Sequence, residues 1–122
     1  MAHTASFVQK GDTIDYVNST GGAIPHNNVV VLTNRIGVSL ETIAEDATGG
    51  VRVTGVFELP SVENAAFAVG DILFWDADNE VLTKTEAGNA YAGWCTEVKA
   101  TAGATARVKL DGVKEFQEVT TE

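Results

Sequence analysis

The chain has 122 residues, with 8 Lys+Arg against 17 Asp+Glu and a formal net charge of −9. Hydrophobic residues at 44% and charged residues at 20% are the balance of a folded chain, and the length suits one domain. The acidic surplus repels phosphate backbones, so no nucleic-acid partner is expected. No apolar run approaches the roughly 18 residues of a membrane span and no basic-then-apolar leader is visible, so neither a membrane nor a secretory route is expected.

A single cysteine allows no internal disulfide, so the fold must hold by packing. Sixteen Val, 14 Thr and 5 Ile supply stiff β-branched side chains that suit a pleated sheet. Residues 13–17 alternate apolar and polar side chains as a first strand, and Asn18-Ser19-Thr20-Gly21-Gly22 carries turn chemistry. Residues 29–32 are four apolar residues with three valines, a strand rather than a helix. Thr33-Asn34 turns that strand into its hairpin partner at 35–38. Residues 51–54 alternate and continue past Gly55 through 56–59, until Pro60 ends the ladder because it has no N–H to donate. Residues 72–75, a turn at 76–79, a return at 80–83, then 91–98 and 105–110 complete the set. About eight short strands at this spacing predict an all-β fold, a small β-barrel or sandwich.

Leu40, Ile43, Ala44 and Ala47 follow helical spacing, and Thr42 with Glu45 could form a capping box. One helical turn and a tight β-turn both fit, because Gly49-Gly50 follows so soon. Residues 61–68 are small and without period, which reads as a linker between two halves. Those halves resemble each other. Residues 24–32 align without gaps on 67–75: an apolar residue leads into a turn pair, Asn27-Asn28 or Gly70-Asp71, and then four apolar residues. Residues 53–58 also lie over 90–95 once a one-residue slip is allowed, giving a weak internal duplication in which each copy has a hairpin and a long third strand. The expected division is an N-terminal arm at 1–12, one β domain at 13–112 and an acidic C-terminal tail at 113–122.

No catalytic or cofactor motif is complete. Lys84-Thr85 lacks the preceding glycine loop of a phosphate-binding site, and no Gly-x-Gly-x-x-Gly occurs. The acidic stretch 76–80 would need Gly and Glu at the sixth and twelfth positions of a calcium loop, where Val81 and Ala87 stand, so a hairpin turn is expected. His3, His26 and Cys95 are too few for a metal site, and Cys95 as nucleophile would need His26 as its base. The sequence therefore predicts no enzyme, no metal and no cofactor. Asn18-Ser19-Thr20 matches a glycosylation sequon that is idle without secretion. Trp75 and Trp94 are open between core filling and interface anchoring.

Several pieces carry a family resemblance: Gly11-Asp12 with Tyr16, Asn34-Arg35-Ile36-Gly37-Val38, Gly49-Gly50-Val51, Gly55-Val56-Phe57-Glu58-Leu59-Pro60, Val69-Gly70-Asp71-Ile72-Leu73-Phe74-Trp75-Asp76 and Ala92-Gly93. In this order, over residues 7–110, they resemble the tailed-phage capsid cement (decoration) proteins. Some members of that family carry a recombinase label, against which the missing phosphate loop argues independently. His26-Asn27-Asn28 departs from the family's usual glycine-containing turn. The resemblance implies a β-barrel-like structural protein of the virion, made in the host cytoplasm. It would trimerise on the outer capsid surface and stabilise the shell by clamping neighbouring major capsid subunits. Rival functions are a small β-barrel hydrolase using a carboxylate pair, and a ligand-binding module of a tail or adhesin.

Interface residues are expected at Phe7, Val8, Trp75 and Trp94. Phe7-Val8 is the apolar pair of a small, polar segment, residues 2–10. That segment either folds back onto the core or orders on the shell by adding a strand to an exposed capsid edge.

Overall fold

The computed structural model describes residues 4–110, so the expected acidic tail at 113–122 lies outside the described residues. The strands are β1 (Thr13–Val17), β2 (Val29–Leu32), β3 (Arg35–Ser39), β4 (Thr48–Arg52), β5 (Gly55–Pro60), β6 (Ile72–Asp76), β7 (Val81–Thr83), β8 (Ala90–Cys95) and β9 (Thr105–Leu110). They are joined in one hydrogen-bonded sheet built from two half-sheets. The first runs β1-β4-β3-β2, and the second runs β5-β9-β8-β6-β7. All strand-to-strand ladders within each half are antiparallel, and one isolated parallel bridge joins Ser61 to Leu82. The halves meet where β3 and β8 lie parallel, with Arg35 opposite Tyr91 and the Tyr91 N–H donating 3.0 Å to the Asn34 carbonyl.

The duplication is written in the hydrogen bonds. Ile24 and Ile43 exchange backbone bonds at 2.9 and 2.8 Å, and Phe67 and Lys99 do the same at 3.1 and 3.0 Å. Asn27 N–H donates to Ser39 O, and Gly70 N–H to Cys95 O. Val29 lies opposite Val38, as Ile72 lies opposite Trp94. Ser39 lies opposite Val51, as Cys95 lies opposite Val108. At the start of each half, Asn18 N–H reaches Ala47 O and Ser61 N–H reaches Ala104 O. So β1, β2, β3 and β4 correspond to β5, β6, β8 and β9. The junction sets equivalent strands side by side and parallel, each facing the other with the side that its own half gives to β4 or β9. That arrangement is an approximate two-fold along the strands.

This architecture confirms the all-β reading and corrects parts of it. The described strands do not close into a barrel: β1, β2, β5 and β7 each have one ladder partner. The continuous strand expected across 51–59 is two strands, because Gly55 turns the backbone at φ 116° and the chain passes there from one half to the other. That break makes nine strands of the expected eight. The half-to-half connection is thus at 53–54, and 61–68 lies inside the second half. The match of 53–58 to 90–95 fails for the same reason, since β5 is the counterpart of β1 and β8 that of β3. Residues 40–47 form a bridge and a turn, with Ala47 N–H on Ala44 O at 3.0 Å, and no helix occurs among the described residues. The spacing of Ile43 and Ala47 serves a bulge of chain that pins Ile24.

Equivalent glycines mark where β3 and β8 leave the junction for their own half-sheets. A Cβ on Gly37 would stand 2.5 Å from Val51 Cγ1, and one on Gly93 only 1.9 Å from the Lys109 carbonyl oxygen. Gly93 also has φ 150°, and the β6–β8 register shifts beside it at Leu73/Phe74. The larger apolar core belongs to the second half and includes Leu59, Phe67, Leu73, Trp75, Leu82, Val108 and Leu110, joined by Ile36 and Val38 of β3. Ile24, Val30, Ile43 and Val51 form a smaller cluster in the first half.

Candidate interaction surfaces

The halves differ most at one edge. The offset between equivalents is 43 at Val29 and Ile72 but 56 at Arg35 and Tyr91, so the second half carries 13 extra residues after β6. That insertion folds β7 onto β6, with Trp75 opposite Leu82. Among the described residues nothing in the first half takes the place of β7, and β2 has an open edge. Ser39 N–H donates 2.9 Å to Asn28 O across the β2–β3 ladder. Strand alternation then turns the N–H and C=O of Val30 and Leu32 toward β3, and those of Val29 and Val31 toward the open side.

Beside this edge runs a shallow trough. Val31, Trp75 and Ala77 line both of its parts; Val29, Leu59, Pro60, Glu58 and Glu80 are among the residues of one, of about 460 Å³, and Asn34, Gly88 and Asn89 belong to the other. Val31 is 41% exposed although it sits mid-strand. The β2–β3 tip holds Thr33 at φ 61°, with Asn34 N–H closing a three-residue turn on Leu32 O. A β-branched residue in that region is strained.

The four expected interface residues occupy different environments. Phe7 and Val8 are 86% and 83% exposed, so Phe7 does not fold onto the core. Trp75 is buried at 6% exposure and lines the trough from the core side, while Trp94 is half-buried on β8. Sequence reasoning missed the open β2 edge and its Val31; the signal was the length difference between the two copies. It also missed buried Lys99, the counterpart of Ile43. The Lys99 ammonium donates to the carbonyls of Ala65 and Ala100 and lies 4.9 Å from the Phe67 ring centre, so its charge is held by backbone dipoles and a π face.

The chemical candidates are structural in their surroundings. Cys95 is fully buried, with its thiol directed 3.0 Å to Glu97 O, while His26 is exposed in the turn before β2. Asp76 organises the β6–β7 turn: its carboxylate accepts from the backbone N–H of Asp78 and Asn79 and from Asn79 Nδ2 at 2.8 Å. Those bonds, the Asn79 side chain foremost, hold its pKa below the ordinary 3.8. Glu58 is turned to Arg107 at 3.8 Å and to Thr105 Oγ1 at 3.0 Å. Among the described residues no His/Cys/Asp/Glu group is placed to hold a metal. The sequon Asn18 is fully buried, so an oligosaccharyl enzyme could not reach it in the folded chain. Its Nδ2 donates to the carbonyls of Gly22, Ile43 and Ala44, and its Oδ1 accepts from Thr20 N–H and Oγ1. Asn27 stands at φ 64° where Gly70 stands at 96°, so this asparagine replaces glycine in the turn without changing it.

The described fold is thus a duplicated β sheet with a buried thiol, an Asx-stapled turn and apolar side chains at its edge and arm. The family model for phage cement protein matches residues 8–110, and the chain belongs to that family, with a structural, capsid-associated role in the virion. No curated protein and no solved structure matches the chain.

Proposed function

We propose that this chain decorates the outer surface of an icosahedral phage shell as a homotrimer and stabilises it by clamping neighbouring major capsid subunits. The observation that carries this reading is the cement-family match, which spans nearly all of the described residues. The mechanism is physical. A protein that binds the assembled shell but not free subunits stabilises the shell by mass action. Three linked copies turn weak contacts into one strong attachment through effective concentration. Phe7, Val8 and Trp94 supply apolar contact area, and Trp75 backs the trough from the core. Each copy carries −9, so contacts between copies are apolar or locally charge-paired.

Co-sedimentation of the full chain with expanded empty shells tests the proposal. Saturable binding, with a rise in the temperature at which the shells disrupt, is the expected result. Absence of binding to expanded shells at every ionic strength tried overturns it.

A further inference from the structure

We infer that the open edge of β2 is the acceptor for the N-terminal arm of a second copy, which adds there as a strand with Phe7 over Val31 and Trp75. This assigns the arm's apolar pair to a neighbouring subunit rather than to a capsid edge, and it rests on the trimer of the proposed function.

The internal duplication says what fits. In the second half the β6 edge is closed by β7, and its counterpart β2 is left with outward backbone groups at Val29 and Val31. Exposed strand edges of this kind are templates for an added strand. The arm matches the site in chemistry. Residues 4–10 contain no carboxylate and one cation, Lys10, in a chain otherwise dominated by acid. The trough beside β2 presents Glu80 and Glu58, the latter paired with Arg107 at 3.8 Å. An arm free of carboxylates enters it without like-charge repulsion, while Lys10, 3.9 Å from Asp12, falls on the Val8 face of an extended arm. In extended chain Phe7 and Val8 point to opposite faces. Phe7 can then stack against Trp75 while Val8 covers the Val30 side of β2.

The geometry favours a partner over the same chain. Phe7 is 86% exposed, so a single copy leaves its own arm undocked. The arm leaves from β1, at one border of the order β1-β4-β3-β2, and the acceptor is the other border. A donor on one side and an acceptor on the other make a heterologous contact, which closes into a ring when the rotation permits. Three copies then use every arm and every edge.

Two variants of the full-length chain separate the elements. Deleting residues 2–9 leaves an acceptor without a donor. Val31→Lys puts a charge on the trough side of the edge, where Phe7 would pack, and leaves a donor without an acceptor. Far-UV spectra and melting curves are compared first, since residues 4–9 and Val31 are exposed. In sedimentation velocity each variant alone should associate roughly tenfold or more weakly than the unaltered chain. An equimolar mixture of the two should form one-to-one dimers and stop there, because no free arm and edge remain to continue the ring. Trimers that persist in the arm deletion overturn the inference while leaving the trimer standing. Loss of shell binding by a variant that still trimerises places the arm on the capsid instead. A full chain that is monomeric at its highest soluble concentration also overturns it, without touching shell binding.

Discussion

Gly93→Ala should be among the most damaging single methyl additions in this protein. The added Cβ would lie 1.9 Å from the Lys109 carbonyl oxygen, 2.8 Å from the Lys109 carbonyl carbon and 3.2 Å from Val108 Cγ2. The first two are backbone atoms of the paired strand β9, which cannot rotate out of the way. Relief requires β8 and β9 to part by more than about 1 Å at the Trp94–Lys109 step. Overpacking costs about 1–3 kcal/mol, and φ 150° adds roughly another 1–3 for a residue with a Cβ. A total of about 4 kcal/mol is a large share of the 5–15 typical of a domain. At about 4 °C per kcal/mol, melting should fall by roughly 16 °C. Circular dichroism melting measures this, with Gly22→Ala as control, because nothing lies within 4 Å of its Cβ. The control should stay within about 0.5 kcal/mol of the unaltered chain. A Gly93→Ala protein that melts within about 3 °C of the parent would refute the reasoning, since that loss is under 1 kcal/mol.

Asn18→Ala should destabilise by about 2 kcal/mol in denaturant melts. The carbonyls it serves keep other donors, but Thr20 N–H loses its acceptor and a buried cavity opens. Thr33→Gly should raise stability by about 1 kcal/mol, because it removes the positive-φ strain of a β-branched residue at some entropic cost; no change or a loss in the same melts would show the turn to be unstrained. Asp76→Ala should narrow its melting gap from the parent as pH falls through and below 3.8. The depressed carboxylate pKa gives stability that is present above the ordinary value and lost as the folded group takes its proton. A gap that widens in acid would reverse the assignment.

The strands were legible because alternation and β-branching are local. β1 and β2 fall on the residues expected, and β6 differs by one residue at its end. The first repeat was legible because residues 24–32 and 67–75 match without a gap. The second was not, because the 13-residue insertion changes the offset between copies, and aligning Gly55 with Gly93 hid the true counterpart, Gly37. Helical spacing at 40–47 misled because Ile43 is placed by its bridge to Ile24, a partner outside any sequence window. The β3–β8 junction rests on the single pair Arg35–Tyr91, which no local pattern announces. Tryptophan type alone does not separate a buried Trp75 from a half-buried Trp94. The open β2 edge is a property of what the first copy lacks, so only a comparison of the copies reveals it.

The two halves do not share their interior evenly. Ile36 and Val38 of β3 pack into the larger core of the second half, leaving four buried apolar residues to the cluster of the first. In native-state hydrogen exchange the protein should therefore behave as two cooperative units of unequal rank. Amides of β1 and β4 should exchange through a partial opening that leaves β8 and β9 protected. β3 should behave as part of the slow unit although it is encoded in the fast one. A segment lent in this way couples the folding of one copy to the other: the first half shares β3 with its neighbour's interior, whereas the second carries most of a core within itself.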